Sequence, residues 1–321
     1  DDQEANVAFN DAVQLYQQGQ YQAAIQSYSK ALQMNPNLID AYKGRGSSYV
    51  QVSNFKSAES DFEKFFAKKQ NSGEAAYLLA YSQYYLDKLE DAEKNFLKSK
   101  SLNHKDVNLY YFLGVIKFNQ EKYSEAIEFY NEAIKIDAKH VFSYNDRASA
   151  NRMLENYDAA ISDYSKAIEL DAYNPLLYNN LGSVKRLNKD YAGAIEAFDH
   201  ALRIDRDYFL AINNKGITLY DQGKYQEAIE CFNNVLKLKK DYVYAYNNMG
   251  LCYYKDKDYK SAIEAYNKAI FFDPSYAYAY IHRGSAYEML RQMEDACADW
   301  KKARDLGLEV AKEYCLVCKE Y

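Results

Sequence analysis

Ala24, Ala58, Ala92, Ala126, Ala160, Ala194, Ala228, Ala262 and Ala296 follow one another at intervals of 34 residues. A period of that length, kept through nine units, restricts the chain to a stack of short helical hairpins in which each unit covers its neighbour's apolar face. Two further rows keep the same register. Four residues after each alanine stands an aromatic: Tyr28, Phe62, Phe96, Tyr130, Tyr164, Phe198, Phe232, Tyr266 and Trp300. Twelve residues before each stands a very small residue: Ala12, Gly46, Ala80, Gly114, Ala148, Gly182, Gly216, Gly250 and Gly284.

Residues 107–140 show how one period is written. Tyr110, Leu113, Gly114 and Phe118 recur near helical spacing, Asn119–Lys122 form a polar turn, and Ala126, Ile127, Tyr130, Ala133 and Ile134 stripe a second helix. Gly114 and Ala126 let the two helices approach, and Tyr130 fills the space beside them. Pro36 and Pro274 fall beyond second helices, and Pro175 falls at a first helical position where its missing N–H costs nothing. The units are 5–38, 39–72, 73–106, 107–140, 141–174, 175–208, 209–242, 243–276 and 277–310, with residues 311–321 expected to form a short helix that caps the last apolar face.

Composition narrows the function by exclusion. A net charge of −6 gives no support for binding nucleic acid or an anionic membrane, and no apolar run is long enough to span a bilayer. No phosphate-binding glycine loop, dinucleotide fingerprint or His-Glu-x-x-His motif occurs, and His104, His140, His200 and His282 are scattered over different units. Cys315-x-x-Cys318 has the spacing of a redox dithiol or half a zinc site, but lacks the surrounding strand–helix context or a second ligand pair. It reads as two thiols on a terminal helix, while Cys231, Cys252 and Cys297 read as small buried apolar residues. A non-enzymatic chain without metal or cofactor is expected.

The rows resemble the tetratricopeptide repeat family over residues 5–310. Tyr110-x-x-Leu113-Gly114, Ala126-x-x-x-Tyr130 and Ala133 carry the resemblance, as do Tyr246-x-x-Met249-Gly250-x-x-Tyr253, Ala262-x-x-x-Tyr266-x-x-Ala269 and Pro274. It implies an all-α fold, a right-handed superhelical solenoid of nine helix-turn-helix repeats plus the C-terminal cap, whose first helices line a concave groove for a peptide or protein. Units 39–72 and 73–106 depart from the pattern, with Glu59 and Glu93 where other units carry Ile, and with Lys68 and Lys100 at largely apolar positions. An irregularity or a partner surface is expected there.

In this family positions 2, 5, 6, 9, 12 and 13 of each unit point into the groove. Position 5 supplies Asn145, Asn179, Asn213 and Asn247, and position 6 supplies Asp146, Asn180, Asn214, Asn248 and His282. An amide donates to a carbonyl and accepts from an N–H at once, so such a row can hold an extended peptide with little demand on its sequence. The row is similar to the asparagine ladder in the repeats of O-linked N-acetylglucosamine transferase. The alternative is that one Asn of each pair bridges neighbouring helices and the other faces water. Position 2 adds Phe142, Leu176, Leu210, Tyr244 and Tyr278, and position 12 adds Arg152 and Arg186, which also read as solvated helix charge. Nearer the N-terminus the same positions hold Tyr77, Tyr81, Tyr84, Tyr85, Tyr111, Phe112 and Phe118, an aromatic patch suited to a partner helix or loop, a neighbouring subunit or internal packing. The clamp by which some members hold a chaperone's C-terminal carboxylate is not expected, because Lys43 is followed by Ser47, Leu78, Asn108 and Phe112 at the remaining places.

The expected function is a protein-interaction scaffold whose partner is a protein or extended peptide, without nucleic acid and without direct membrane insertion. A structural subunit of a bacterial envelope or secretion assembly stands as the alternative, and oligomerisation stays open. The segment Asp295–Gly307 resembles the closing repeat of bacterial members, and Asp1 in first place suggests a removed leader, so a periplasmic or exported location is expected over a cytoplasmic one.

Overall fold

The computed structural model describes residues 2–320, all helical or in short turns. It forms two compact units, one ending at Leu154 and the other beginning at Glu155. The N-terminal unit contains α1 (Asp2–Gln17), α2 (Tyr21–Met34), α3 (Ile39–Gln51), α4 (Phe55–Lys68), α5 (Gly73–Tyr85), α6 (Leu89–Ser101), α7 (Val107–Asn119), α8 (Tyr123–Ile136) and α9 (Val141–Met153). The C-terminal unit contains α10 (Tyr157–Leu170), α11 (Pro175–Leu187), α12 (Tyr191–Ile204), α13 (Phe209–Asp221), α14 (Tyr225–Leu238), α15 (Val243–Lys255), α16 (Tyr259–Phe272), α17 (Ala277–Met289), α18 (Met293–Asp305) and α19 (Ala311–Tyr314). A terminal 3-10 helix, Cys315–Glu320, follows α19. The expected capping helix is thus a single α-turn continued as a tighter helix.

Within each unit an odd-numbered helix pairs with the helix after it, and each pair packs on the next. The rows explain why. Every alanine of the 34-residue series is fully buried, and the aromatics four residues later are at most 3 % exposed. The glycines of the small-residue row lie against their own hairpin's ring: a Cβ placed on Gly114 would sit 2.5 Å from Cε1 of Tyr130, and one on Gly182 would sit 2.6 Å from Cε1 of Phe198. Carbon atoms prefer about 3.5–4.0 Å, so at Gly114 and Gly182 a methyl group requires the ring to shift.

The turns inside the hairpins hold a feature the apolar pattern did not reveal. Gly19, Ser53, Asp87, Glu121, Glu155, Lys189, Gly223, Lys257 and Arg291 all have φ between 57° and 77°. In the turn after α7, Lys122 N–H donates to Lys117 C=O at 2.9 Å and Glu121 N–H to Phe118 C=O at 2.9 Å. This is the left-handed stop that satisfies the last helical carbonyls. Only two of the nine turns use glycine, the residue that adopts it without steric cost.

Candidate functional site

The first helices of the C-terminal unit are α11, α13, α15 and α17. Their position-2 side chains stand out from a packed framework: Leu176 is 45 % exposed, Leu210 36 %, Tyr244 53 % and Tyr278 50 %. Residues 244, 248 and 251 follow helical spacing, so positions 2, 6 and 9 lie on one face. The first helices touch their successors directly, because Asn214 Nδ2 donates to Asn179 Oδ1 at 2.9 Å and His282 Nδ1 meets Asn247 Oδ1 at 2.8 Å. Both bonds join position 5 of one repeat to position 6 of the next.

These bonds correct the expected amide row. Asn179, Asn213 and Asn247 are 7 %, 5 % and 4 % exposed, so position 5 is buried between helices and does not face a ligand. Positions 5 and 6 are one helical step apart, and the close approach of successive first helices encloses the former. The 213–248 rung is open: Asn213 Oδ1 is buried without a hydrogen-bond partner, and Asn248 makes no side-chain bond among the described residues. Asn180, Asn214 and Asn248 remain half-buried. At the end of the row a carboxamide oxygen only accepts, so His282 carries its proton on Nδ1. Burial pushes that imidazole down to about 4, leaving it neutral at pH 7.

In the N-terminal unit, Tyr111 Oη donates to Asp146 Oδ2 at 2.9 Å and Asn145 Nδ2 to Oδ1 at 2.8 Å. Burial outweighs these bonds and raises the Asp146 carboxyl above the ordinary carboxylate range. Asn145 and Asp146 are therefore held in a local, half-buried network with Tyr111. Arg186 is bound by Asp221 at 2.7 Å, and Arg152 Nε is buried without a partner, so neither is a plain solvated charge.

The aromatic patch resolves into two parts. Phe112 is core, stacked on Phe96 at 5.9 Å with Tyr84 against it at 4.6 Å, and Phe118 packs edge-on to Tyr123 at 5.2 Å across its own turn. Phe112 thus follows the internal-packing alternative, while Tyr84 and Phe118 are half-buried beside neighbouring rings. Tyr77 and Tyr81, together with Tyr16, Ser47, Val50 and Asn108, line a recess of about 250 Å³. A second recess of about 360 Å³ shares Tyr16 and Ser47 and adds Phe9, Tyr28 and Lys43. Burial raises the Tyr77 and Tyr81 phenols, so both stay protonated donors at neutral pH. Tyr85, 47 % exposed, stacks on Phe55 at 4.6 Å and continues the patch outward.

The divergent repeats owe their acidic residues to pairing. Lys88 Nζ lies 2.7 Å from Glu59, and Lys117 Nζ lies 2.7 Å from Glu93, which also accepts from Gln120 at 2.6 Å. Burial would lift the Glu93 carboxyl, but its hydrogen bonds prevail and hold it below the ordinary range. Two further pairs were missed. Arg45 grips Asp61 through two bonds at 2.7 and 2.8 Å, and Arg283 grips Asp299 at 2.8 and 2.7 Å. Their common spacing of 16 residues, shared in sequence by Arg147 and Asp163, was the available signal.

Cysteine pairing also departs from expectation. Cys318 is joined to Cys297 by a disulfide, tying the terminal 3-10 helix to α18, while Cys315 is free. Cys297 is therefore a cross-linked residue and no simple apolar filler, and Cys315-x-x-Cys318 is not a dithiol pair. Among the described residues no three His, Cys, Asp or Glu side chains are grouped to hold a metal, and no helix is long and apolar enough to cross a membrane.

Stacked helical hairpins with an exposed neutral face define a class of repeat proteins that work as binding frameworks. Family models described as TPR repeat match residues 14–53, 150–188 and 216–257, and models described as tetratricopeptide repeat match 107–140, 243–276 and 176–208. The chain belongs to the tetratricopeptide repeat family. No curated protein matches it. Among solved structures it is similar to a tetratricopeptide repeat protein from Parabacteroides merdae, at 23 % identity and a TM-score of 0.65, over 77 % of this chain and 98 % of that one. The C-terminal part of a TPR repeat-containing protein from Cytophaga hutchinsonii gives 20 % identity and a TM-score of 0.60, over 74 % and 97 %. The APC/C hetero-tetramer Cut9–Hcn1 gives 15 % identity and a TM-score of 0.58, over 98 % and 76 %. At these identities the likeness is one of fold.

Proposed function

We propose that the chain is a non-catalytic scaffold that holds an extended segment of another protein along the exposed face of α11, α13, α15 and α17. The observation that carries this reading is the position-2 row, where four large apolar or aromatic side chains stand 36–53 % exposed at one per repeat. Large apolar groups left in water on a rigid frame gain free energy when a partner covers them, at about 25 cal/mol per Å². Position 6 supplies the polar complement. Asn214 keeps its oxygen free of partners and Asn248 keeps its whole amide, so each can bind a peptide backbone for roughly 0.5–1.5 kcal/mol net per bond. The burial of position 5 supports a ladder of single amides per repeat in place of pairs. In the N-terminal unit, the recess at Tyr77 and Tyr81 suits one apolar side chain of a partner.

A displayed library of short unstructured peptides, selected on the full chain, tests the reading. Enriched peptides should lose binding to a variant carrying Leu176→Ser, Leu210→Ser, Tyr244→Ala and Tyr278→Ala, whose circular dichroism matches the parent. Equal recovery on both proteins would refute it, and partner binding through outer-face residues alone would favour a structural subunit of a larger assembly.

A further inference from the structure

We infer that the segment held by the C-terminal unit is a proline-rich stretch in the polyproline II conformation. The inference rests on the scaffold reading and narrows it to one ligand conformation. Three properties of the surface point the same way.

The first is spacing. Successive first helices are direct neighbours, as the Asn214–Asn179 and His282–Asn247 bonds require. Packed helices lie about 8–10 Å apart. Polyproline II repeats every three residues and advances about 9 Å in doing so, and thus presents one side chain per repeat on the same side. A β-strand returns to the same face every two residues, after about 7 Å, and drifts out of phase within two repeats.

The second is charge. The residues at positions 2, 6 and 9 of these four helices include no Asp, Glu, Lys or Arg. His282, the one titratable imidazole among them, is neutral at pH 7 because burial depresses its protonation. Among the groove positions, charge is confined to 12 and 13 near the helix ends, where Arg186 is paired with Asp221 at 2.7 Å and Lys255 and Glu288 stand in separate repeats. A charged segment laid along positions 2, 6 and 9 would lose hydration without an ion beside it. A run of prolines and small apolar residues carries no charge to desolvate.

The third is the chemistry of the rings. Phe209, Tyr242, Tyr244, Tyr276 and Tyr278 form a continuous chain, with successive centroids 5.2, 5.4, 5.5 and 6.0 Å apart. Each ring buttresses the next, so the exposed Tyr244 and Tyr278 have little freedom left to lose on binding. Their hydroxyls make no hydrogen bond among the described residues. Proline offers carbonyl acceptors without N–H donors, and polyproline II leaves those carbonyls free. Flat pyrrolidine faces against tyrosine rings, with phenol hydroxyls meeting carbonyls, are the contacts by which aromatic-lined grooves hold such helices.

The test uses the full chain and two fluorescent twelve-residue peptides, four Pro-Pro-Leu triplets and the same peptide with every proline replaced by serine. Anisotropy titration should show the proline peptide binding about tenfold tighter or more, with about tenfold loss in Tyr244→Ala/Tyr278→Ala and a smaller loss in Tyr244→Phe/Tyr278→Phe. Equal affinity for both peptides, weakened by the same alanine variant, would overturn the polyproline inference and leave the scaffold reading standing. Proline-peptide binding that ignores both variants would overturn it as well. If neither peptide binds at millimolar concentration, while selected peptides bind elsewhere on the chain, both readings fall.

Discussion

Replacing Gly114 by alanine tests the packing principle on which every hairpin depends. In an ordinary helix this change stabilises by up to about 1 kcal/mol, because glycine is the poorer helix former. Here the new methyl would lie 2.5, 2.7 and 3.0 Å from Cε1, Cδ1 and Cζ of Tyr130. Tyr130 is 1 % exposed and packed with Ala126 and Ala150, so its ring has no free volume into which to retreat. Overpacking of this kind costs about 1–3 kcal/mol. After the propensity gain, a net loss of about 1–2 kcal/mol is expected, equivalent to a roughly five- to thirty-fold larger open population. Native-state hydrogen exchange of the amides in α7 and α8 reads this locally, without requiring the whole chain to unfold in one step. In a Tyr130→Ala background the methyl enters vacated space, and Gly114→Ala should become neutral or stabilising. If Gly114→Ala slows exchange in the parent, or costs the same in both backgrounds, the small-residue row does not exist to admit the ring.

Three other outcomes follow from the same structure. Glu121→Gly and Lys257→Gly, at exposed left-handed turn positions with φ of 60° and 63°, should each raise stability by about 0.5–1 kcal/mol in thermal melts, and a loss at either would contradict the turn assignment. His282 binds its proton more weakly folded, near 4, than unfolded, near 6.5, so the unfolded chain takes up more protons between these values. The stability held above about pH 6.5 should therefore drain away, by up to about 3 kcal/mol, as pH falls toward 4; His282→Asn should flatten that part of a pH–urea profile, and an unchanged profile would show that the imidazole is not buried neutral. Arg283→Met leaves the Asp299 carboxylate, only 6 % exposed, without its partner and should cost about 3–5 kcal/mol in denaturant titration, with most of the loss recovered by adding Asp299→Asn; a loss of a few tenths would mean that the pair is solvated.

The parts of the molecule legible in the sequence are those governed by short, repeated separations. Gly114 meets Tyr130 and Ala126 packs nearby because the hairpin brings back residues a fixed distance apart, and nine copies make that distance visible. The exposed row at Leu176, Leu210, Tyr244 and Tyr278 was legible for the same reason. The amide row was half legible. Adjacent positions on a helix differ by about 100° in direction, and the period does not say which of them the next hairpin will cover. Asn179, Asn213 and Asn247 went inside because successive first helices approach closely enough to exchange bonds at Asn179–Asn214 and Asn247–His282. Phe112, at position 6, went inside by another route, stacking on Phe96 of the preceding second helix, α6.

By itself, then, the order of residues determined the repeat unit, its hairpin form, its buried rings and the family. Tertiary structure alone decided the partners: Lys88 for Glu59, Lys117 for Glu93, Asp221 for Arg186 and Cys297 for Cys318. The physical reason is that packing within a hairpin is set by local chain geometry, whereas a charge or thiol takes whichever complementary group the angle between hairpins brings within a few ångströms. That angle is the sum of many side-chain contacts, and no single spacing in the chain encodes it.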